Sequence, residues 1–244
     1  VEISYIIIAV FGLFFAGIIK GASGLGYSSC ALPFLAAAVG LKPAIVLVVI
    51  PAIVSNIAIM YTTGHFRETV ARFWPFYLTS LPGTWLGIVL LGWIDQRNAE
   101  IVLGSLIMGY AVISITRPPF YLSERYRDPI QIPAGLLNGL FTGLTGSQVL
   151  PLLPYMLSLR LDPDRMVQAV NIAVTFAATS MAIGLMTAGL MTLPGLGISI
   201  ASTVPAMIGI VLGTKIRRVI PNKHFRLVVL IILGILGLIL ILRH

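Results

Sequence analysis

Two glycine-rich stretches hold most of the side chains able to do chemistry in this 244-residue chain. The first runs Gly21-Ala-Ser23-Gly24-Leu-Gly26-Tyr27-Ser28-Ser29, and the second Gly143-Leu-Thr145-Gly146-Ser147-Gln148. Neither presents G-x-G-x-x-G behind a strand, so neither is a dinucleotide loop. A glycine break that opens a short helix leaves backbone N–H groups unpaired at the positive end of the helix dipole. Where water is scarce, that is an anion site. The hydroxyls and the Gln148 amide would add neutral donors for an oxygen-rich anion without burying a charge. Lys20, at the edge of the first break, is either a cation for that anion or an anchor snorkelling to a membrane interface. Asn56 and Asn171 stand inside apolar segments, where an amide must serve as an interhelical hydrogen bond or as a ligand contact. The glycines have a competing use, because Gly17-x3-Gly21, Gly83-x3-Gly87 and Gly139-x3-Gly143 are spacings for close helix packing.

Other chemistry is poorly supplied. The acids Glu2, Glu68, Asp95, Glu100, Glu124, Asp128, Asp162 and Asp164 fall in loops or near segment ends, so no carboxylate relay for protons is expected at mid-membrane. Asp162-Pro163 reads as a helix N-cap followed by proline at the first helical position. His65, His224 and His244 lie at polar ends, and no Cys, His and carboxylate spacing suggests a metal. Cys30 is the single cysteine. With no clustered nucleophile and base, the chain does not read as an enzyme, and nothing in it points to a cofactor.

The elements that must position these residues are set by composition. Apolar residues make up 58% of the chain and charged ones 10%, with mean hydropathy +1.01. That leaves too little polar surface to cover a soluble globule, so lipid is the expected surroundings. The net charge of +8 could suggest nucleic acid, but Lys and Arg sit in short stretches between apolar runs, and no nucleic-acid partner is expected. The runs are Ile3 to Ile19, Ser28 to Gly40, Pro43 to Thr63, Phe73 to Trp93, Ala99 to Thr116, Ile130 to Leu144, Ser147 to Leu159, Pro163 to Thr187, Thr192 to Gly213 and Phe225 to Leu242. A helix needs about 20 residues to span. The second, sixth and seventh runs are shorter and read as half-helices or re-entrant hairpins. With ten segments, thirteen Lys and Arg face one side and only Lys42, Arg97 and Arg243 the other, which places both termini outside the cytoplasm. Trp74 and Trp93 bracket the fourth run as interfacial anchors, with Trp85 packed inside it. The chain opens at Val1 with no basic leader, so the first run is expected to be a mature membrane segment.

The sequence also resembles itself. Gly17 to Gly24 matches Gly139 to Gly146, with Pro33 and Pro154 following at nearly the same offset. Farther on, Ser55 to Gly64 matches Ser180 to Gly189, Pro82 matches Pro205, and Arg97 to Gly109 matches Asn222 to Gly234. Four ordered matches at offsets of 122 to 125 indicate two repeats. Five segments in each is an odd number, so the repeats would insert with opposite orientation, the pattern of secondary transporters. The expected fold is an all-α integral membrane protein of two inverted repeats, with short broken or re-entrant helices at the glycine breaks. Its parts are an N-terminal repeat over 1–116, a cytoplasmic linker over 117–129 and a C-terminal repeat over 130–244.

At these residues the sequence resembles the TauE/SafE family, the 4-toluene sulfonate uptake permease group of sulfite and organosulfonate transporters. The likeness covers essentially the whole chain and rests on GASGLGYSSCALP and GLFTGLTGSQVLP, each a glycine break running into a proline-containing segment. Both lack the richer Gly-Gly-Gly clusters of that family. The resemblance implies a small anionic substrate, a sulfonate or sulfite, moved across a bacterial inner membrane, with membrane lipid around the protein and a homodimer among the open assemblies. The residues expected to touch the anion are Lys20, Gly21, Ser23, Gly24, Tyr27, Ser28, Ser29, Asn56, Thr145, Gly146, Ser147, Gln148 and Asn171. A secondary exporter is the leading reading. An anion channel, a permease for another carboxylate or inorganic anion, and a non-transporting receptor are its alternatives.

Overall fold

The computed structural model describes residues 3–24, 26–116, 121–216 and 222–242, all helix and connections with no strand among them. Glu2, Leu25, Arg117, Arg217, Arg218, Arg243 and His244 lie outside the described residues, as do the side chains of Lys223, His224 and Arg226. The first five helices are α1 (Ile3–Ser23), α2 (Tyr27–Val39), α3 (Leu41–Thr63), α4 (Phe66–Trp93) and α5 (Gln96–Thr116). A single turn, α6 (Glu124–Arg127), leads to α7 (Gln131–Thr145), α8 (Leu152–Ser158) and α9 (Pro163–Thr187), then α10 (Leu193–Ala201), α11 (Thr203–Ile216) and α12 (Asn222–Leu242). Among the described residues, five stretches are long and apolar enough to cross a membrane: α3, α4, α5, α9, and α10 with α11 taken together. The chain is an all-α, multi-pass membrane protein.

Several boundaries differ from those expected. Helix α1 runs on to Ser23, so Lys20 lies inside a helix. Helix α4 starts at Phe66, which takes Arg67 and Arg72 into its first turns instead of a loop. Helix α8 begins only at Leu152, leaving Ser147 and Gln148 in non-helical chain. Proline explains the delay, since Pro151 has no N–H and disfavours helix at the residue before it. The ninth run is two helices that meet at Ser202. Trp85 is exposed on the outer surface, not packed inside.

Close helix pairs organise the bundle. A Cβ placed on Gly17 or Gly21 of α1 would fall on the Ala206 or Ile210 carbonyl of α11. One on Gly139 or Gly143 of α7 would fall on the Ser80 or Thr84 carbonyl of α4. Reciprocally, Gly83 and Gly87 meet the Leu136 and Leu140 carbonyls, while Gly209 and Gly213 meet those of Phe14 and Ile18. Each of these contacts in one seam therefore has a counterpart in the other, at an offset of 122 from α1 to α7 and 126 from α4 to α11. The latter register differs from the offset suggested by Pro82 and Pro205, because backbone contact at the glycines, not the prolines, fixes how the helices meet.

The two ends differ in charge. At one, Arg165 pairs with Glu68 at 2.8 Å, the Arg160 guanidinium lies 3.9 Å from the Tyr121 ring centre, and Tyr155 donates to the Arg127 carbonyl. We refer to this as the basic end. At the other, Arg97 donates to the Leu240 and Ile241 carbonyls, a cation at the C-terminus of α12. Asp162 caps α9 by accepting from the Arg165 N–H at 3.0 Å. Hydrogen bonds from the Arg165 side chain and backbone hold its carboxyl below the usual range. The folded value is depressed, so this contribution is complete above the unfolded pKa and is lost as pH falls through the folded one. Asp162→Ala is expected to lower Tm slightly at neutral pH and to lose that deficit under acid, which a series of melting curves from pH 7 to acid would read.

Candidate functional site

The first break brings α1 and α2 to a tip inside the protein. Gly24 and Gly26 take left-handed backbone, φ 76° and 81°, which turns the chain back within three residues. The tip carries Lys20 into the interior, 2% exposed, which removes the interfacial-anchor alternative. Its Nζ donates to Oδ1 of Asn56 on α3 and, at 3.0 Å, to Oδ1 of Asn171 on α9. Both amides are fixed in that orientation, because the Asn56 Nδ2 donates to the Ala52 carbonyl at 2.6 Å and the Asn171 Nδ2 to the Val167 carbonyl at 2.7 Å. Asn171 Nδ2 also reaches the Gly24 carbonyl at 3.3 Å, tying α9 to the tip. No carboxylate forms an ion pair with Lys20 among the described residues.

Beside Lys20 is a cavity of about 20 Å³, walled by Tyr27, Ser28 and Ser29 at the start of α2, Asn56, and Gln148 from the second break. That is room for about one water. The Tyr27 hydroxyl and the Gln148 Oε1 are buried without partners, while Gln148 Nε2 donates to the Val174 carbonyl at 3.4 Å. The first turn of α2 adds N–H groups at a helix N-terminus. The walls thus combine the Lys20 amine, hydroxyl and amide donors and a helix dipole, a set that can hold a small oxyanion.

The remaining expected residues are dispersed around this point. Gly21 packs on α11, and Ser23 donates to the Ile19 carbonyl and lines a separate, largely apolar cavity of about 250 Å³. Thr145 bonds to the Phe141 carbonyl and accepts from the Ser147 N–H, and the buried Ser147 hydroxyl has no partner. Gly146, φ 74°, borders a void of about 10 Å³ that Ser28 and Gln148 share. Leu32, Ile45, Val48, Ala52 and Met181 close that void.

Beyond this apolar closure, at the end opposite the basic one, is a cleft of about 1230 Å³ between α1, the end of α2, α3, α5, the Leu190–Thr192 connection, α10 and the start of α11. Along α3 the three spaces follow in order, at Pro43 to Leu47, Ile45 to Ala52, and Asn56. Glu100 lines the cleft, 5% exposed, with Oε1 unpartnered, although its position near the start of α5 reads in sequence as a segment end. Sequence reasoning also missed Asn138 and Gln168, both buried with no hydrogen bond to either amide atom. The signal for Asn138 was present: Gln131, Asn138, Thr142 and Thr145 fall on one face of α7.

No curated protein and no solved structure matches the chain. A family profile described as Sulfite exporter TauE/SafE matches residues 9–240, which takes in both breaks, the Lys20 pocket and the cleft. The protein therefore belongs to the TauE/SafE sulfite exporter family, a family of transporters.

Proposed function

We propose that this protein is a secondary transporter that exports a small sulfur oxyanion, sulfite or an organosulfonate, through a site at Lys20. The observation that carries this reading is a buried lysine that, among the described residues, is balanced by no acid and donates to two amide oxygens. An anion in the adjoining cavity would supply the missing charge and favour the protonated amine. The amides come from α3 and α9, so anion and bundle would compete for the same donor. The cavity is too small for sulfite in this conformation, and separate closed voids support a carrier that rearranges over an open channel.

The paired seams support an inverted repeat, with one half over 1–116, the other over 130–244, and 117–129 joining them. The basic end would then be cytoplasmic, by the positive-inside rule, in a bacterial inner membrane. Outward movement of one negative charge is favoured by about 2.3 kcal/mol per 100 mV, so export needs no coupling ion.

The test is a thermal-shift panel with sulfite, sulfoacetate, taurine, sulfate, chloride and acetate on purified protein. A bound ligand at about a hundred times its Kd stabilises by about 2.7 kcal/mol. We expect sulfite or a sulfonate to raise Tm in a saturable manner and chloride and acetate to leave it unchanged. Equal shifts with all six, or none, would remove the sulfur-oxyanion assignment.

A further inference from the structure

The open cleft occupies one end only, yet the repeat supplies a second set of walls. On α1 and α3 the cleft is lined by Ala9, Val10, Leu13, Pro43, Val46 and Leu47. The offset of 122 carries Ala9, Val10 and Leu13 onto Gln131, Ile132 and Gly135 of α7, and the offset of 125 between α3 and α9 carries Pro43, Val46 and Leu47 onto Gln168, Asn171 and Ile172. The apolar α1 and α3 walls of the cleft thus correspond to six positions of which three carry amides.

Those corresponding faces are sealed here. Gln131, Asn138 and Gln168 are 2%, 0% and 0% exposed, and Asn138 and Gln168 have no partner for either amide atom, nor Gln131 for its Oε1. Folded interiors seldom leave such groups unpaired, because burial without a hydrogen bond is costly. In a membrane bundle, polar side chains turned inward mark a route for polar cargo. The mouth fits an anion too: Val39 and Ile198 of the cleft correspond to Arg160 and Arg72, both exposed at the basic end. Two independent observations, the repeat mapping and the unpaired amides, thus select the same faces.

We propose that the faces of α7 and α9 bearing Gln131, Asn138 and Gln168 form a second access cavity, closed in this structure, which opens to the basic end as the α1–α3 cleft closes. Its amides then bind water and the passing anion. This rests on the inverted-repeat reading given under the proposed function.

The experiment uses the full chain in vesicles of known orientation, with Cys30→Ser as background and a charged, membrane-impermeant methanethiosulfonate as the probe. Asn138→Cys and Gln168→Cys are expected to react from the basic end at least tenfold faster than Ala177→Cys, an equally buried position on α9. Leu47→Cys, in the cleft, should react from the opposite end. Gln131→Cys and Thr142→Cys report on the same face of α7 should Asn138→Cys fold poorly. Reaction no faster than at Ala177→Cys across these positions, or reaction from the cleft end, would overturn the proposal. The labelling uses no anion, so it fails or succeeds separately from the Lys20 site: sulfite stabilisation without labelling sinks only the second cavity, and labelling without stabilisation sinks only the anion site.

Discussion

Lys20→Met is expected to weaken sulfite binding by about 10- to 100-fold and to cut flux accordingly, while leaving Tm nearly unchanged. The affinity loss follows from removing a charge-assisted hydrogen bond of about 1.5–3 kcal/mol, at about 1.4 kcal/mol per tenfold. The stability effect is a balance of opposite terms. Methionine takes away the penalty of holding an amine at 2% exposure, a change often neutral or stabilising in buried ionic sites. Against that, the Asn56 and Asn171 oxygens lose their shared donor, at about 1–3 kcal/mol for an orphaned group. A purely structural lysine would show the reverse, with Tm falling and ligand response intact. Melting curves with and without sulfite, run beside vesicle efflux, separate the two. A full sulfite shift in Lys20→Met would refute the assignment of Lys20 to the site.

Helix rotation and register decide which side chains meet, and neither is written in local sequence. The two breaks were legible because glycine clusters followed by proline occur twice at one spacing, and Asn56 and Asn171 because an amide inside an apolar run needs a partner. The meeting of those amides at Lys20 was not legible. It depends on α1 continuing through Ser23, and apolar periodicity ends at Ile19. Ser23 illustrates the same limit: spacing put it beside Lys20, but its hydroxyl bonds back to Ile19 and the residue turns to a different cavity. For Glu100, Asn138 and Gln168, burial comes from helices far away in sequence. Glu100 and Gln168 are also close enough to segment starts to pass as boundary residues.

Gly143→Val is expected to be among the most destabilising single substitutions in the bundle, whereas Gly92→Ala and Gly197→Ala should stabilise. By helix propensity all three look alike, since each replaces a helical glycine with a better helix former, worth about 0.5–1 kcal/mol for alanine. Contacts decide the sign. At Gly92 and Gly197 an added Cβ meets nothing within 4 Å, so the helix gain stands alone. At Gly143 it would fall on the Thr84 carbonyl and come within 2.8 Å of the Ile88 N and 2.9 Å of the Gly87 Cα. These are backbone atoms that cannot rotate aside, so α4 and α7 must separate along a seam that buries Thr84, Thr142 and Ile88. Overpacking of this kind costs about 1–3 kcal/mol, more where the obstacle is backbone. The matching seam gives a sharper test, because Gly21 meets the Ile210 carbonyl and the Thr214 N as Gly143 meets Thr84 and Ile88. Gly21→Val should therefore lower Tm by a similar amount in the same detergent. A bundle that tolerated Gly21→Val but not Gly143→Val would have two seams alike in geometry and unlike in energy, which a repeated architecture does not predict.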